Sequence, residues 1–323
     1  MAVRQVRLAL ALPLLAAGAA LAQPAVIFEL GGKFDKSFNQ AGWEGAERWK
    51  KETGKPYIEF QIVNAAQREQ AVRRFAERGA SPIVGIGFPQ ASPIAAVAPQ
   101  FPNLRFAVID AVVDLPNVQS FVFREHEGGF LAGAIAALAS KTGKVGYVGG
   151  QDIPIIRKFL CGYEQGAKWA NPKVEVLWAM TGVTGAAWND PARGGELTRT
   201  QAAKGADVIL QAAGGTGVGV LQAARDLGIL GIGSDSNQNG LHPGHVLTSL
   251  LKRTDVAVHR AFGGVTPGIT ELGLQEGGMD LAFDEHNAKL VTAAMRQKVD
   301  EARREIVAGR LKVIDWTVAK KCE

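Results

Sequence analysis

The chain has 323 residues, 47% hydrophobic and 21% charged, which suits a globular α/β protein with two cores rather than one. Its formal charge is +5, or +3 once Arg4 and Arg7 are removed, too small and too scattered for a nucleic-acid reader. Beyond the first 22 residues no apolar run approaches 18, so no membrane-spanning helix is expected.

Residues 1–22 read as an export leader: Arg4 and Arg7 come first, then an apolar run broken by Pro13, then Ala20-Leu21-Ala22 before a cut at Gln23. The apolar run at 25–30 predicts a buried parallel strand ending at Gly31-Gly32. A helix follows over 39–53, stopped by Gly54, then a strand over 58–63 and a helix over 67–78. Strands are expected at 82–87, 106–110 and 118–123, with a short helix at 93–99. Residues 128–140 form an Ala/Leu/Gly-rich helix with sides small enough for close packing.

A second cycle begins after the break at Lys141 to Lys144. It predicts strands at 145–150, 174–180, 207–212 and 231–234, and helices at 155–169, 196–204 and 217–226. After 246–249 come a helix over 255–262, glycine-rich connections, and a last long helix over 287–308. This alternation is the pattern of two doubly wound parallel sheets. Chains of this kind cross back between halves. The expected division is a leader (1–22), an N-terminal lobe (23–140), a C-terminal lobe (141–247), a return to the N-terminal lobe (248–274) and the end of the C-terminal lobe (275–323).

Several chemistries are poorly served. Gly214-Gly215-Thr216-Gly217-Val218-Gly219 opens a helix, but no dinucleotide register fits and no Walker lysine follows. It reads equally as a packing turn or as a nest of backbone N–H groups. The five histidines are scattered, His242 and His245 sharing only a loop, so no metal site is expected. No G-x-S-x-G element is present. The two cysteines, Cys161 and Cys322, are open between a disulfide and two free thiols.

In open α/β sheets ligands bind beyond the carboxyl ends of the strands. The residues there are Asp35, Ser37, Phe38 and Asn39 after strand one, Asp110, Gly214 with Gly215, Asp235 and Lys252, with Trp188 in a loop of the second half. Singly, Phe38 fits a core, Asp35 a helix cap, and Lys252 a pair with Asp255. Together they offer two flat rings from different halves and a carboxylate–ammonium set. That combination suits a heterocycle carrying paired hydroxyls.

The stretches Phe34-Asp35-Lys36-Ser37-Phe38-Asn39, Arg124-Glu125-His126-Glu127-Gly128-Gly129, Trp188-Asn189-Asp190-Pro191, Ala212-Ala213-Gly214-Gly215-Thr216-Gly217, Asp235-Ser236-Asn237-Gln238-Asn239 and Leu247-Thr248-Ser249-Leu250-Leu251-Lys252-Arg253 resemble the BMP family of ABC-transporter substrate-binding proteins, in its purine nucleoside receptor branch. The match runs in order along nearly the whole chain after the leader. It implies a type I periplasmic-binding fold, with a purine nucleoside held between two lobes. It implies further that Phe38 and Trp188 sandwich the base, that Asp235 and Lys252 hold ribose hydroxyls, and that Asn39 and Asp110 line the base end. Some relatives carry phenylalanine where Trp188 stands, a difference bearing on pocket size. Many relatives are lipoproteins. This chain has no cysteine near the cut, so a periplasmic monomer without a lipid anchor is expected, serving an ABC permease of the inner membrane. No catalysis and no cofactor are expected. The alternatives are a free purine base or other flat heterocycle as ligand, a secreted nucleoside hydrolase, or a ligand-responsive regulator.

Overall fold

The computed structural model describes residues 22–322, so all of the expected leader except Ala22 lies outside the described residues. Two six-stranded sheets carry the fold. The first is formed by β1 (Ala25–Phe28), β2 (Ile58–Gln61), β3 (Ile83–Gly85), β4 (Phe106–Ile109), β5 (Val118–Phe123) and β11 (Gly268–Leu272). Its order is β11-β5-β4-β3-β1-β2, and every pairing is parallel. The second holds β6 (Lys144–Gln151), β7 (Glu175–Gly182), β8 (Val208–Ala212), β9 (Leu230–Asp235), β10 (Val246–Lys252) and β12 (Met279–Leu281). Its order is β12-β10-β9-β8-β6-β7, parallel except for the antiparallel edge strand β12. β1, β3 and β4 are buried along their whole length, which is why they read as unbroken apolar runs. This is the two-lobed α/β architecture of type I periplasmic-binding proteins. Among the described residues no helix is long and apolar enough to cross a membrane.

Two expected lobe crossings fall elsewhere. α4 (Glu125–Ala139) packs along α5 (Pro154–Ala170) and against β10, so it belongs to the second lobe, and the chain crosses at Arg124 rather than near 140. β10 runs on to Lys252 inside the second sheet, which moves the return from 247 to Arg253. The α4–α5 contact explains the first shift. A Cβ on Gly133 would lie 1.9 Å from the Tyr163 carbonyl oxygen, and one on Gly166 would lie 1.8 Å from that of Phe130. Glycines on both helices let the backbones touch, a fit made with a helix later in the chain.

That contact gives a prediction. Gly133→Ala and Gly166→Ala should each cost about 1–3 kcal/mol in urea unfolding, because the obstructing atoms are backbone and the helices must part. Gly263→Ala is the control. Gly263 ends α8 (Thr254–Gly263) with nothing within 4 Å of the added carbon, so that change should be neutral or stabilising. Equal effects at all three positions would refute the close-packing argument.

The cysteine question closes in favour of a bond: Cys161 on α5 and Cys322 form a disulfide with their Cα atoms 5.2 Å apart. The bridge ties the C-terminal segment, including α10 (Trp316–Ala319), to the second lobe.

Candidate ligand site between the lobes

A cavity of about 340 Å³ lies between the carboxyl ends of the two sheets. The sheet orders fix what meets what. In the first lobe Asp110 follows β4, Gly87 comes after β3, and Glu29 follows β1. In the second, Lys252 ends β10, Asp235 ends β9, Gly214 comes after β8, and Gln151 ends β6. All seven residues line the cavity.

Of the residues expected from sequence, Asp35, Phe38, Asn39, Asp110, Trp188, Gly214, Asp235 and Lys252 line the cavity, whereas Ser37 and Gly215 do not. The polar atoms of several are engaged within the protein. The Asp35 carboxylate accepts from the backbone N–H groups of Ser37 (2.8 Å), Asn39 (3.0 Å) and Gln40 (3.1 Å). It therefore caps α1 (Phe38–Thr53). The Asn39 amide accepts from Glu29 N at 2.9 Å and donates to Asp35 at 3.1 Å, tying that helix to the end of β1. Ser37 Oγ donates across the cleft to Asp235 Oδ2 and to the Ser234 carbonyl. Ser236 Oγ donates to the Ser37 carbonyl at 2.7 Å, and Gln238 Nε2 to that of Lys36 at 2.8 Å. These bonds join the lobes directly, and the cleft is closed.

The charged end of the cavity centres on Lys252, only 2% exposed. Its ammonium lies 2.7 Å from Asp110 and 3.0 Å from Glu125, not against Asp255, which pairs with Arg48 and Arg253. Glu125 in turn meets Lys158 at 2.9 Å. Three rings, Phe38, Phe123 and Phe159, lie 5.0–5.6 Å from the ammonium. Burial pushes the carboxyls of Asp110 and Asp235 up to about 6, against the pull of the Lys252 charge. Burial works against the Lys252 ammonium too, yet Asp110, Glu125 and Asp235 hold its pKa above the ordinary lysine value. Glu125 is also desolvated, but Lys252 and Lys158 keep it below the usual carboxylate range. Asp110 (φ 71°) and Asp235 (φ 66°) both occupy the left-handed region. Such strain collects at functional sites.

Part of the cavity wall is aromatic. The Trp188 indole lies over Gly150, where a Cβ would come within 2.2–2.6 Å of three ring carbons, and Nε1 donates to Gln151 Oε1 at 3.0 Å. Phe38 opens α1 from the other lobe, with its ring against Gly87. Sequence reasoning missed Glu29, Arg68, Gln151, Ile156 and Phe159, which also line the cavity. Glu29 carried a usable signal as a lone charge ending an apolar strand. Arg68 carried none, being one of several charges on a helix face.

A closed cleft between two doubly wound lobes, with charged strand ends and apolar rings facing inward, defines a solute-binding protein. Comparison with known proteins gives the family. The sequence model described as ABC transporter substrate-binding protein PnrA-like matches residues 23–315, and the chain belongs to this Bmp family. It is 31% identical to the ABC transporter nucleoside-binding protein BmpA of Lactococcus lactis, over 90% of this chain and 88% of that one. It is 36% identical to an uncharacterized lipoprotein of Pyrococcus furiosus, over 79% of this chain and 68% of the other. An ABC transporter solute-binding protein from Aeropyrum pernix superposes with a TM-score of 0.83 at 29% identity, covering 91% and 93% of the two chains. Family membership implies a solute ligand and an ABC permease partner, and it supports a binding role rather than a catalytic one.

The relatives correct the expectation of a periplasmic protein without a lipid anchor. Three Pyrococcus relatives, 34–36% identical, are named lipoproteins, and two Borreliella relatives are named basic membrane proteins. An export leader directs a chain across the membrane but does not determine what holds it afterwards, so freedom from the membrane does not follow from it.

Proposed function

We propose that the protein captures a purine nucleoside between its lobes and presents it to an ABC permease. The observation that carries this reading is the pairing of an aromatic lining from both lobes, Phe38 and Trp188, with a charged end made of Asp110, Asp235 and Lys252. Rings from opposite lobes suit stacking on a base. Two carboxylates and an ammonium suit the hydroxyls of a ribose; Asp110, which the resemblance puts at the base end, is assigned here to the ribose end because it lies 2.7 Å from Lys252. The lobes close on the ligand because contacts to both favour the closed state.

Titration calorimetry with inosine, guanosine and adenosine tests the reading, with a sugar and an amino acid as controls. One-site nucleoside binding is expected, with hypoxanthine weaker than inosine; binding of a control in place of every nucleoside would overturn it. Trp188→Ala should weaken nucleoside binding by about 1–3 kcal/mol, the scale of base–aromatic stacking. Unchanged affinity in a folded variant would remove Trp188 from the pocket.

A further inference from the structure

The cavity has a second polar end, which the proposed ribose contacts do not use. Neighbouring strands lie about 4.8 Å apart, so Glu29 after β1 stands about 10 Å from Asp110 after β4, with β3 between them. At Glu29 the cavity is also lined by Arg68, near the start of α2 (Gln67–Glu77). The two side chains form a fork, Arg68 Nε lying 2.9 Å from Glu29 Oε2 and Nη2 2.5 Å from Oε1. Gln90 Nε2 donates to Oε2 at 3.0 Å and the Leu30 backbone N–H to Oε1 at 3.0 Å.

The carboxylate is therefore filled. Each oxygen already has at least two donors, about what a carboxylate can accept. Arg68 is not filled: Nη1 has no hydrogen-bond partner among the described residues. An arginine always donates and never accepts. This end of the cavity thus offers a fixed donor whose charge is balanced by Glu29, and a ligand edge reaching it must bring an acceptor.

Resting on the nucleoside reading above, we infer that Arg68 is a specificity residue that selects 6-oxopurine over 6-aminopurine nucleosides. With the ribose at the Lys252 end, the base edge reaches the Glu29–Arg68 end. A 6-oxopurine presents the O6 and N7 acceptors that arginine reads on guanine, whereas a 6-aminopurine sets an N–H donor against a donor. Glu29 is a positioning residue here. It holds the guanidinium in place and keeps the site neutral overall.

The test compares inosine, adenosine and purine riboside, which lacks any 6-substituent, by calorimetry on the wild-type protein and on Arg68→Met. The wild-type protein should bind inosine at least about tenfold more tightly than adenosine, with purine riboside between them. In Arg68→Met the inosine-to-adenosine ratio should fall to near one, while the inosine-to-hypoxanthine ratio, which reports the ribose end, stays unchanged. Arg68→Lys, which keeps the charge but loses the fork, should fall between. Should Arg68→Met fold poorly, the double variant Arg68→Met/Glu29→Gln removes the stranded carboxylate, and the same collapse of the ratio is expected. A preserved ratio in either folded variant, or a wild-type preference for adenosine, overturns the proposal. Equal wild-type affinity for both nucleosides overturns it while leaving the nucleoside reading intact. If no nucleoside binds, that reading and this proposal fall together.

Discussion

Lys252→Met should destabilise the protein by about 3–5 kcal/mol and remove tight ligand binding. The change keeps much of the side-chain volume and deletes the ammonium. It leaves Asp110 without the partner at 2.7 Å and Glu125 without the one at 3.0 Å. Breaking one side of a buried ion pair strands its counter-charge, and that stranding is the larger part of the cost. Glu125 keeps Lys158 at 2.9 Å and is the less affected of the two. Asp110 faces the choice between an unpaired charge and a proton. The double variant Lys252→Met/Asp110→Asn, which leaves the Glu125–Lys158 pair in place, should therefore recover most of the stability without recovering affinity. Urea unfolding with matched slopes measures the first effect and calorimetry the second. A single variant as stable as wild type would mean the cluster is not held together by its lysine. A double variant that binds normally would remove the cluster from the ligand site.

Much of the fold was legible because parallel strands buried on both faces are continuous apolar runs, as at β1, β3 and β4. β11 was hidden because it is a half-exposed edge strand with Ile269 facing out, and β12 because Asp280 interrupts its short apolar pair Met279 and Leu281. The lobe assignment of α4 was not legible from alternation alone. Strand–helix rhythm does not say which sheet a helix covers, and the deciding contact is with Gly162 and Gly166 of α5. The same distinction holds at the site. Asp110, Asp235 and Lys252 could be picked out because a polar residue ending an apolar strand is placed by the strand. What sequence could not show is where hydrogen bonds go. Asp35, Ser37 and Asn39 stand at a strand end as expected, yet their polar groups hold α1, β1 and the opposite lobe in place. Glu125 and Arg68 act through partners far away in sequence, Lys252 and Glu29, and no local pattern marks them.

Nucleoside affinity should fall as the pH drops below about 6, by about ten- to a hundredfold between pH 7.5 and pH 5. Asp110 and Asp235 are both pushed by burial to about 6, so both gain protons across this range. A carboxylate that accepts hydroxyl bonds from a ribose must be ionised in the complex. Binding then expels its proton, and each such group contributes up to tenfold per pH unit. Stability runs in the opposite sense. These two groups hold protons more tightly folded than unfolded, so their contribution to stability is full below pH about 4 and is lost as the pH rises through 6. Glu125, held below the usual range by Lys252 and Lys158 despite its burial, opposes this at the acid end: its contribution is lost as the pH falls through its folded value. Weaker binding at pH 5 therefore need not reflect unfolding, and the two can be separated by measuring Tm alongside Kd. Asp235→Asn should lower affinity at pH 7.5 and flatten the remaining pH dependence by one proton. Calorimetry in buffers of different ionisation enthalpy should show proton release on binding near pH 5.5 and almost none at pH 7.5. A Kd that stays level from pH 7.5 to pH 5 in folded protein would show that the ligand does not meet these carboxylates.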